Sequence, residues 1–265
     1  MATPIQFAIL HPNGRLHMIF TPYKHTTLAS EIKELETLGF SFQGSSIYPE
    51  QFVNTHFPNF DLLLALKTLD AVLSPLTGAA VYRQVVLTDG SPPKMEIQVY
   101  SADCNDENTG LTLWRTFTLG DKGPVVDHEF FRLPRIARGK GIFRKILLAL
   151  FQQYVNIGAS KILVHAALED GGLAWANLNF MATDKAEVDK ILAAAQAGLS
   201  PGQFRFVKLI YDKYYIQNPV GQAFPMRKWA EMTFMGVILK QSHWHGAVDL
   251  TNPAELSNFV TNAFG

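Results

Sequence analysis

Apolar and polar residues along the chain follow two different periods. In "QFAILHPNGRLHMIF", Pro12-Asn13-Gly14 separates two apolar runs. Asn-Gly tolerates positive φ, so a β-hairpin is predicted there. A helix is predicted through Glu34 to Leu38, capped by Thr27 or Ser30 and closed by Gly39. "DLLLALKTLDAVL" reads as a second helix, opened by Asn59 or Asp61 and stopped by Pro75. The period then drops to two. "AVYRQVVLT", "KMEIQVYSA", "LTLWRTFTL" and "PVVDHEFFRL" are strand-like, separated by segments rich in Gly, Pro, Asp and Asn. They predict a meander of three or four antiparallel strands.

Helical spacing returns from about Gly141 to Tyr154, where Ile142, Ile146, Leu147, Leu150, Phe151 and Tyr154 form one apolar side. "SKILVHAAL" reads as a buried strand, with His165 as a satisfied core histidine. The predicted fold class is therefore α/β, a mixed sheet containing a strand–helix–strand step. Farther on, "GGLAWANLNF" predicts a short helix and "DKAEVDKILAAAQAG" a longer one capped by Thr183 or Asp184. "QFRFVKLIY" fits strand or helix, "RKWAEMTF" fits helix, and a strand is expected before Ser242. Residues 1–78 read as an amino-terminal α/β segment, either a subdomain or the first strands and helices of the same fold. Residues 79–265 read as the core with a carboxy-terminal extension.

Composition narrows the function classes. Hydrophobic residues make up 48% and charged ones 17%, a globular balance. Lys+Arg and Asp+Glu are both 23, a formal charge of 0, which argues against a general nucleic-acid binder. Cys104 is the single cysteine, so no disulfide forms within the chain. The opening "MATPIQFAILHPNG" lacks a basic segment followed by a long apolar core, and apolar runs such as Ile146 to Phe151 are too short to span a bilayer. A soluble, cytoplasmic protein without nucleic-acid or membrane partners is expected.

The chemistry concentrates in "FFRLPRIARGKGIFRKILLALFQQY". Arg138-Gly139-Lys140-Gly141 stands at the mouth of the predicted helix. Helix amino termini present unpaired N–H groups and the positive end of the macrodipole, and glycine lets backbone approach a ligand. Those features suit a phosphate or pyrophosphate. The string is not a phosphate loop, because no Gly-Lys-Ser/Thr follows at the required spacing. Nor is it a dinucleotide fingerprint, since Arg144 stands where the third glycine would be.

Leu133-Pro134, then Arg138-Gly139-Lys140-Gly141-Ile142 and the apolar helix, resemble the acyl-CoA signature of the GNAT superfamily of N-acetyltransferases. The likeness covers roughly residues 94–180. It implies that the turn wraps a CoA pyrophosphate with backbone amides, and that Phe131, Arg132 and Leu133 meet the pantetheine arm and acyl carbonyl through their backbone. It also implies that the strand Lys161 to Leu168 splays away to admit the cofactor. The cofactor-binding set is then Phe131, Arg132, Leu133, Arg138, Gly139, Lys140, Gly141 and Ile142, the co-substrate acetyl-CoA or another acyl-CoA, and the acceptor an amine-bearing small molecule, peptide or protein. Several positions depart from the family pattern. Ile136 replaces the usual Gln or Arg, Asn179-Phe180 replaces a closing Gly-Phe, and Trp175 falls where a tyrosine often serves as general acid. An indole cannot return a proton to a thiolate.

Acyl transfer to an amine needs a base, an oxyanion donor and, in many cases, an acid. "VVDHEFFRL" puts three polar residues inside an apolar strand. Strict alternation places Asp127, Glu129, Phe131 and Leu133 on one face, and His128, Phe130 and Arg132 on the other. Glu129 is the expected base, with His128 the alternative and Asp127 third. The competing expectations are a catalytically inactive GNAT-like protein that binds CoA or a partner, and a metal-dependent hydrolase using His243, His245 and Asp249. Tyr211, Tyr214 and Tyr215 are substitute acids or packing residues. Cys104 lacks an identifiable histidine partner for nucleophilic work.

Overall fold

The structure is a computed structural model and describes residues 9–10, 16–17, 20–167, 170–218 and 223–265. The protein is of mixed α/β class and divides into two compact units, Met1–Ser160 with Phe264–Gly265, and Lys161–Ala263. Residues 1–78 thus share a unit with residues 79–160. No helix among the described residues is long and apolar enough to cross a membrane.

In the first unit, β1 (Ile9–Leu10) and β2 (Leu16–His17) pair antiparallel, Ile9 opposite His17. The predicted turn at Pro12-Asn13-Gly14 lies outside the described residues. Helix α1 (Ala29–Thr37) begins after Leu28 and not at either expected cap. The Thr27 hydroxyl is drawn away to donate to the Phe60 carbonyl, 3.2 Å. Gly39 ends α1 as expected, at φ +88°, and leads into β3 (Phe40–Gln43). Helix α2 (Pro49–His56) follows. Helix α3 (Leu62–Leu73) is capped by Asp61, whose carboxylate accepts from the Leu64 N–H at 2.9 Å.

The four strands of the predicted meander are β4 (Val81–Thr88), β5 (Lys94–Ser101), β6 (Thr112–Gly120) and β7 (Gly123–Arg132). Each pairs antiparallel with the next, and β3 adds to β4 in parallel. Helix α4 (Ile142–Asn156) buries Ile146, Leu147, Leu150, Phe151 and Tyr154, the predicted stripe less its first turn. The side of α4 toward the amino-terminal segment is polar yet buried. Gln153 accepts from the Asp61 N–H at 2.9 Å, Asn156 from the Tyr23 N–H at 3.2 Å, and Gln152 donates to the Thr21 carbonyl at 3.1 Å. These buried hydrogen bonds fix where residues 20–23 lie, because leaving their partners unpaired costs desolvation.

In the second unit, β8 (Lys161–Ala166) precedes α5 (Gly171–Asn177) and β9 (Met181–Ala182). Helix α6 (Lys185–Gly198) is capped by Asp184, and α7 (Pro201–Gln217) by Ser200. The stretch that fitted strand or helix is therefore helical. Then come β10 (Phe224–Pro225), α8 (Arg227–Ala230), α9 (Gly236–Lys240), β11 (Trp244–Asp249) and α10 (Pro253–Phe264). The strand expected before Ser242 lies after it. "GVILK" is too short to show a period, whereas β11 finds ladder partners in both β8 and β9. These four strands run antiparallel in the order β10–β9–β11–β8.

Candidate functional site

Strand β7 does not keep the strict alternation expected of it. From Trp114 opposite Phe130, β6 advances two residues to Thr116 while β7 steps three, to Asp127. One extra residue on β7 makes a β-bulge, so His128 and Glu129 together face Arg115. The two predicted faces are therefore not continuous across the bulge. His128 is 2% exposed, whereas Glu129 is exposed and Phe130, Phe131 and Arg132 are half-buried. Glu129 is thus the expected base with access to solvent, and His128 lies inside.

His128 belongs to a buried polar chain that sequence reading did not assemble. Its Nε2 lies 2.9 Å from the Tyr154 hydroxyl, which also hydrogen-bonds the Arg115 side chain. Arginine only donates, so the hydroxyl accepts from Arg115 and its own proton is assigned toward Nε2. Burial, then the neighbouring Arg115 charge, holds the His128 pKa well below its ordinary value. Burial pushes the Tyr154 phenol up, partly opposed by Arg115. Arg115 was legible in principle, because period two sets it with Leu113 and Phe117 on the inward side of "LTLWRTFTL".

This cluster carries a pH prediction. An unfolded histidine takes up a proton near pH 6.5, while folded His128 stays neutral. Folding stability is therefore full above that pH and falls as the pH drops below it, by at most about 1.4 kcal/mol per pH unit for one proton. His165 is shifted the same way, by burial and then by His245, and adds to the slope. The lowered carboxylates, Asp89 among them, act in a more acidic window. Urea melts should lose little midpoint between pH 7.5 and 6.5 and clearly more between 6.5 and 5.5, and His128→Phe should flatten part of that loss. Parallel curves for the two proteins would refute the assignment.

Beyond β7, Leu133 and Pro134 are buried and residues Arg135–Ala137 make a single 3₁₀ turn. Two of the predicted cofactor cations are used within the protein. Arg138 donates to the carbonyls of Leu133 (3.0 Å) and Glu107 (2.8 Å). Arg132 donates to the carbonyl of Cys104 (3.1 Å) and lies 5.3 Å from the Phe130 ring. Arg138 thereby ties the loop 103–110 to the turn, and Arg132 ties it to the end of β7. Lys140 is exposed. Gly139 and Gly141 adopt φ +73° and +72°, and a Cβ built on either would meet nothing within 4 Å. Their role is conformational, and the space beside them is open. Gly141 is also the N-cap of α4 and supplies no side-chain acceptor to its first amides. Ile142 is half-buried, and Phe143 packs on Phe131 with centroids 5.3 Å apart. Arg144 donates to the carbonyls of Phe264 and Gly265.

A shallow cavity of about 300 Å³ lies nearby, lined by Thr77, Gly78, Asp103, Asn108, Pro134 and Ile136. The glycine turn is not part of its wall, and the Asp103 carboxylate there disfavours an anion. Ile136, which lines the cavity, is 75% exposed. Cys104 is half-buried.

In the second unit, Trp175 packs edge-on against buried Phe180, centroids 5.1 Å apart. Asn179 holds φ +69°, the left-handed region that glycine would fill and asparagine tolerates. Tyr211 is bound to Lys185 and Asp189, Tyr214 donates to the Ala223 carbonyl, and Tyr215 stacks on Phe224. Burial raises all three phenols, Tyr215 to about 12, which makes them poor acids.

The His243–His245–Asp249 triplet is not assembled. Asp249 pairs across the ladder with Lys161 while His245 pairs with His165, and the Asp249 carboxylate accepts from Thr251. His245 is instead held by Glu187, Nδ1 to Oε1 at 2.8 Å. Its ring stacks on His165 at 4.2 Å, and His165 is exposed, not a core histidine. Among the described residues, no group of three or more His, Cys, Asp or Glu side chains is placed to hold a metal ion. In comparisons with known proteins, no family model, no curated protein and no solved structure matches the chain.

Proposed function

We propose that the protein is a GNAT-type N-acyltransferase that moves an acetyl or other acyl group from acyl-CoA to an amine. The observation that carries this reading is the turn after β7. Two left-handed glycines open a 15-residue helix whose first amides have no side-chain cap, with free space beside both glycines. Such a turn suits a pyrophosphate. Gly139 and Gly141 let the chain curl, the Ile142 amide and its successors donate, and Lys140 supplies charge. Arg138 keeps the turn in place by holding Leu133 and Glu107. Asn179 before Phe180, in the backbone conformation of a closing glycine, further supports the reading.

The thioester supplies an activated carbonyl. The amine nitrogen bonds to that carbon, the carbon–sulfur bond breaks, and the thiolate leaves. Exposed Glu129 takes the ammonium proton, directly or through water, and the N–H groups of Phe131 to Leu133, at and just past the end of β7, are the proposed donors to the carbonyl oxygen. Trp175 cannot reprotonate the thiolate, so solvent supplies that proton. Trp175 also favours a second reading, a GNAT-like protein that binds CoA without turnover.

Thermal unfolding with acetyl-CoA tests the cofactor. Ligand at a hundred times its Kd stabilises by about 2.7 kcal/mol, a rise of several degrees. Gly141→Val strains a left-handed position by about 1–2 kcal/mol and should shrink the ligand-induced rise. The absence of any rise for the unmodified protein would end the acyl-CoA reading. A rise without turnover on a broad amine panel would favour the binding protein.

A further inference from the structure

Arg115 is 1% exposed, on β6, and its guanidinium does work the strand ladder cannot. At the bulge the extra residue of β7 has no partner on β6, so ladder donors are missing there. Nη1 of Arg115 fills the gap, donating to the carbonyls of Trp114 (2.7 Å) and Phe130 (3.1 Å), one from each strand. The Tyr154 hydroxyl of α4 holds the same side chain, and its Cζ lies 5.7 Å from the Phe131 ring. Stability alone does not explain a buried cation here. Its Nε is buried without a hydrogen-bond partner, and apolar replacements of buried charges are often neutral or stabilising.

We infer that Arg115 is a positioning residue, which grips the Phe130 carbonyl so that the Phe131 N–H is fixed and polarised as the donor for the acyl carbonyl. This rests on the acyltransferase reading. A trans peptide sets its C=O and N–H on opposite sides, so the Phe131 N–H points away from the guanidinium. A charge-assisted bond to the carbonyl draws electron density through the amide and makes the N–H a stronger donor. Lysine would not substitute well, because it is shorter and carries no planar fork, whereas Nη1 of arginine serves both carbonyls while the same guanidinium also meets Tyr154.

The test uses the full chain with Arg115→Met and Arg115→Lys, and acetyl-CoA carrying ¹³C at the thioester carbonyl. Bound to the unmodified protein, the carbonyl stretch should shift to lower frequency. In both variants that shift should diminish and kcat should fall about tenfold to a hundredfold, the donor being weakened and not removed. Acetyl-CoA affinity, measured by calorimetry, should stay within about threefold, because the pyrophosphate turn is untouched. A merely structural arginine would change melting temperature and affinity together and leave the bound carbonyl frequency unchanged. The lysine variant, which keeps a cation, decides the matter if the methionine variant does not fold. Variants with the unmodified frequency and kcat would overturn the role of Arg115 alone. Failure of the unmodified protein to bind acetyl-CoA would overturn the acyltransferase reading and this inference with it.

Discussion

Glu129→Gln is expected to lower kcat by about a hundredfold to ten-thousandfold, the range general-base catalysis supplies, while acetyl-CoA binding is retained. Glutamine keeps the size and the acceptor oxygen and loses only the ability to take a proton. The defect should be pH-dependent in a specific direction. At a pH near the acceptor's own pKa much of the amine is already neutral and needs no base, so the ratio of the two rates should narrow as pH rises. Steady-state kinetics across pH 6.5–9.5 would show it. Asp127→Asn is the companion measurement. Asp127 lies across the bulge from Glu129 and is half-buried, so its variant should retain most activity. A Glu129→Gln protein within twofold of the parent at neutral pH would remove Glu129 from the mechanism.

Phe117→Ala is expected to cost about 3–5 kcal/mol, a large share of the 5–15 kcal/mol that typically holds a domain folded. Phe117 is fully buried on β6. Its ring meets Phe57 (6.2 Å), Phe60 (5.2 Å) and Tyr154 (5.8 Å), all edge-on. Truncation leaves a cavity between the α2–α3 connection, α4 and the sheet, and deprives three aromatic pairs of a partner. It also loosens Tyr154, and with it the hydroxyl that joins Arg115 to His128. Denaturant unfolding should show the midpoint moving sharply down. A loss below about 1 kcal/mol would mean that this core repacks freely. Phe117→Leu, which fills part of the space, should recover much of the loss.

The elements that were legible in sequence share a physical feature, namely that their signals are local. Period two marked β4 to β7, and helical spacing marked α4. The Arg138-Gly139-Lys140-Gly141 turn was readable because two positive-φ residues in three positions leave the backbone few choices. Caps were less secure. Asp61 and Asp184 serve as expected, but Thr27 is claimed by the Phe60 carbonyl, a partner 33 residues away that local reading does not contain. "GVILKQSHWHGAVDL" was misdivided because a five-residue helix shows no period, and β11 is defined by its partners β8 and β9.

By itself, then, the sequence determined the α/β class, the order of elements through the meander and α4, and the glycine turn at the mouth of α4. Tertiary structure alone decided the rest. A bulge is a mismatch in count between two paired strands, so neither strand shows it separately. Burial still alternates through Pro124, Val126 and His128, so His128 inside and Glu129 in solvent follow period two, and what the extra residue added is the place where Arg115 meets the Phe130 carbonyl. Pairing with β6 decided where the Arg115 guanidinium meets β7, a contact between residues 15 apart in the chain that neither strand shows alone.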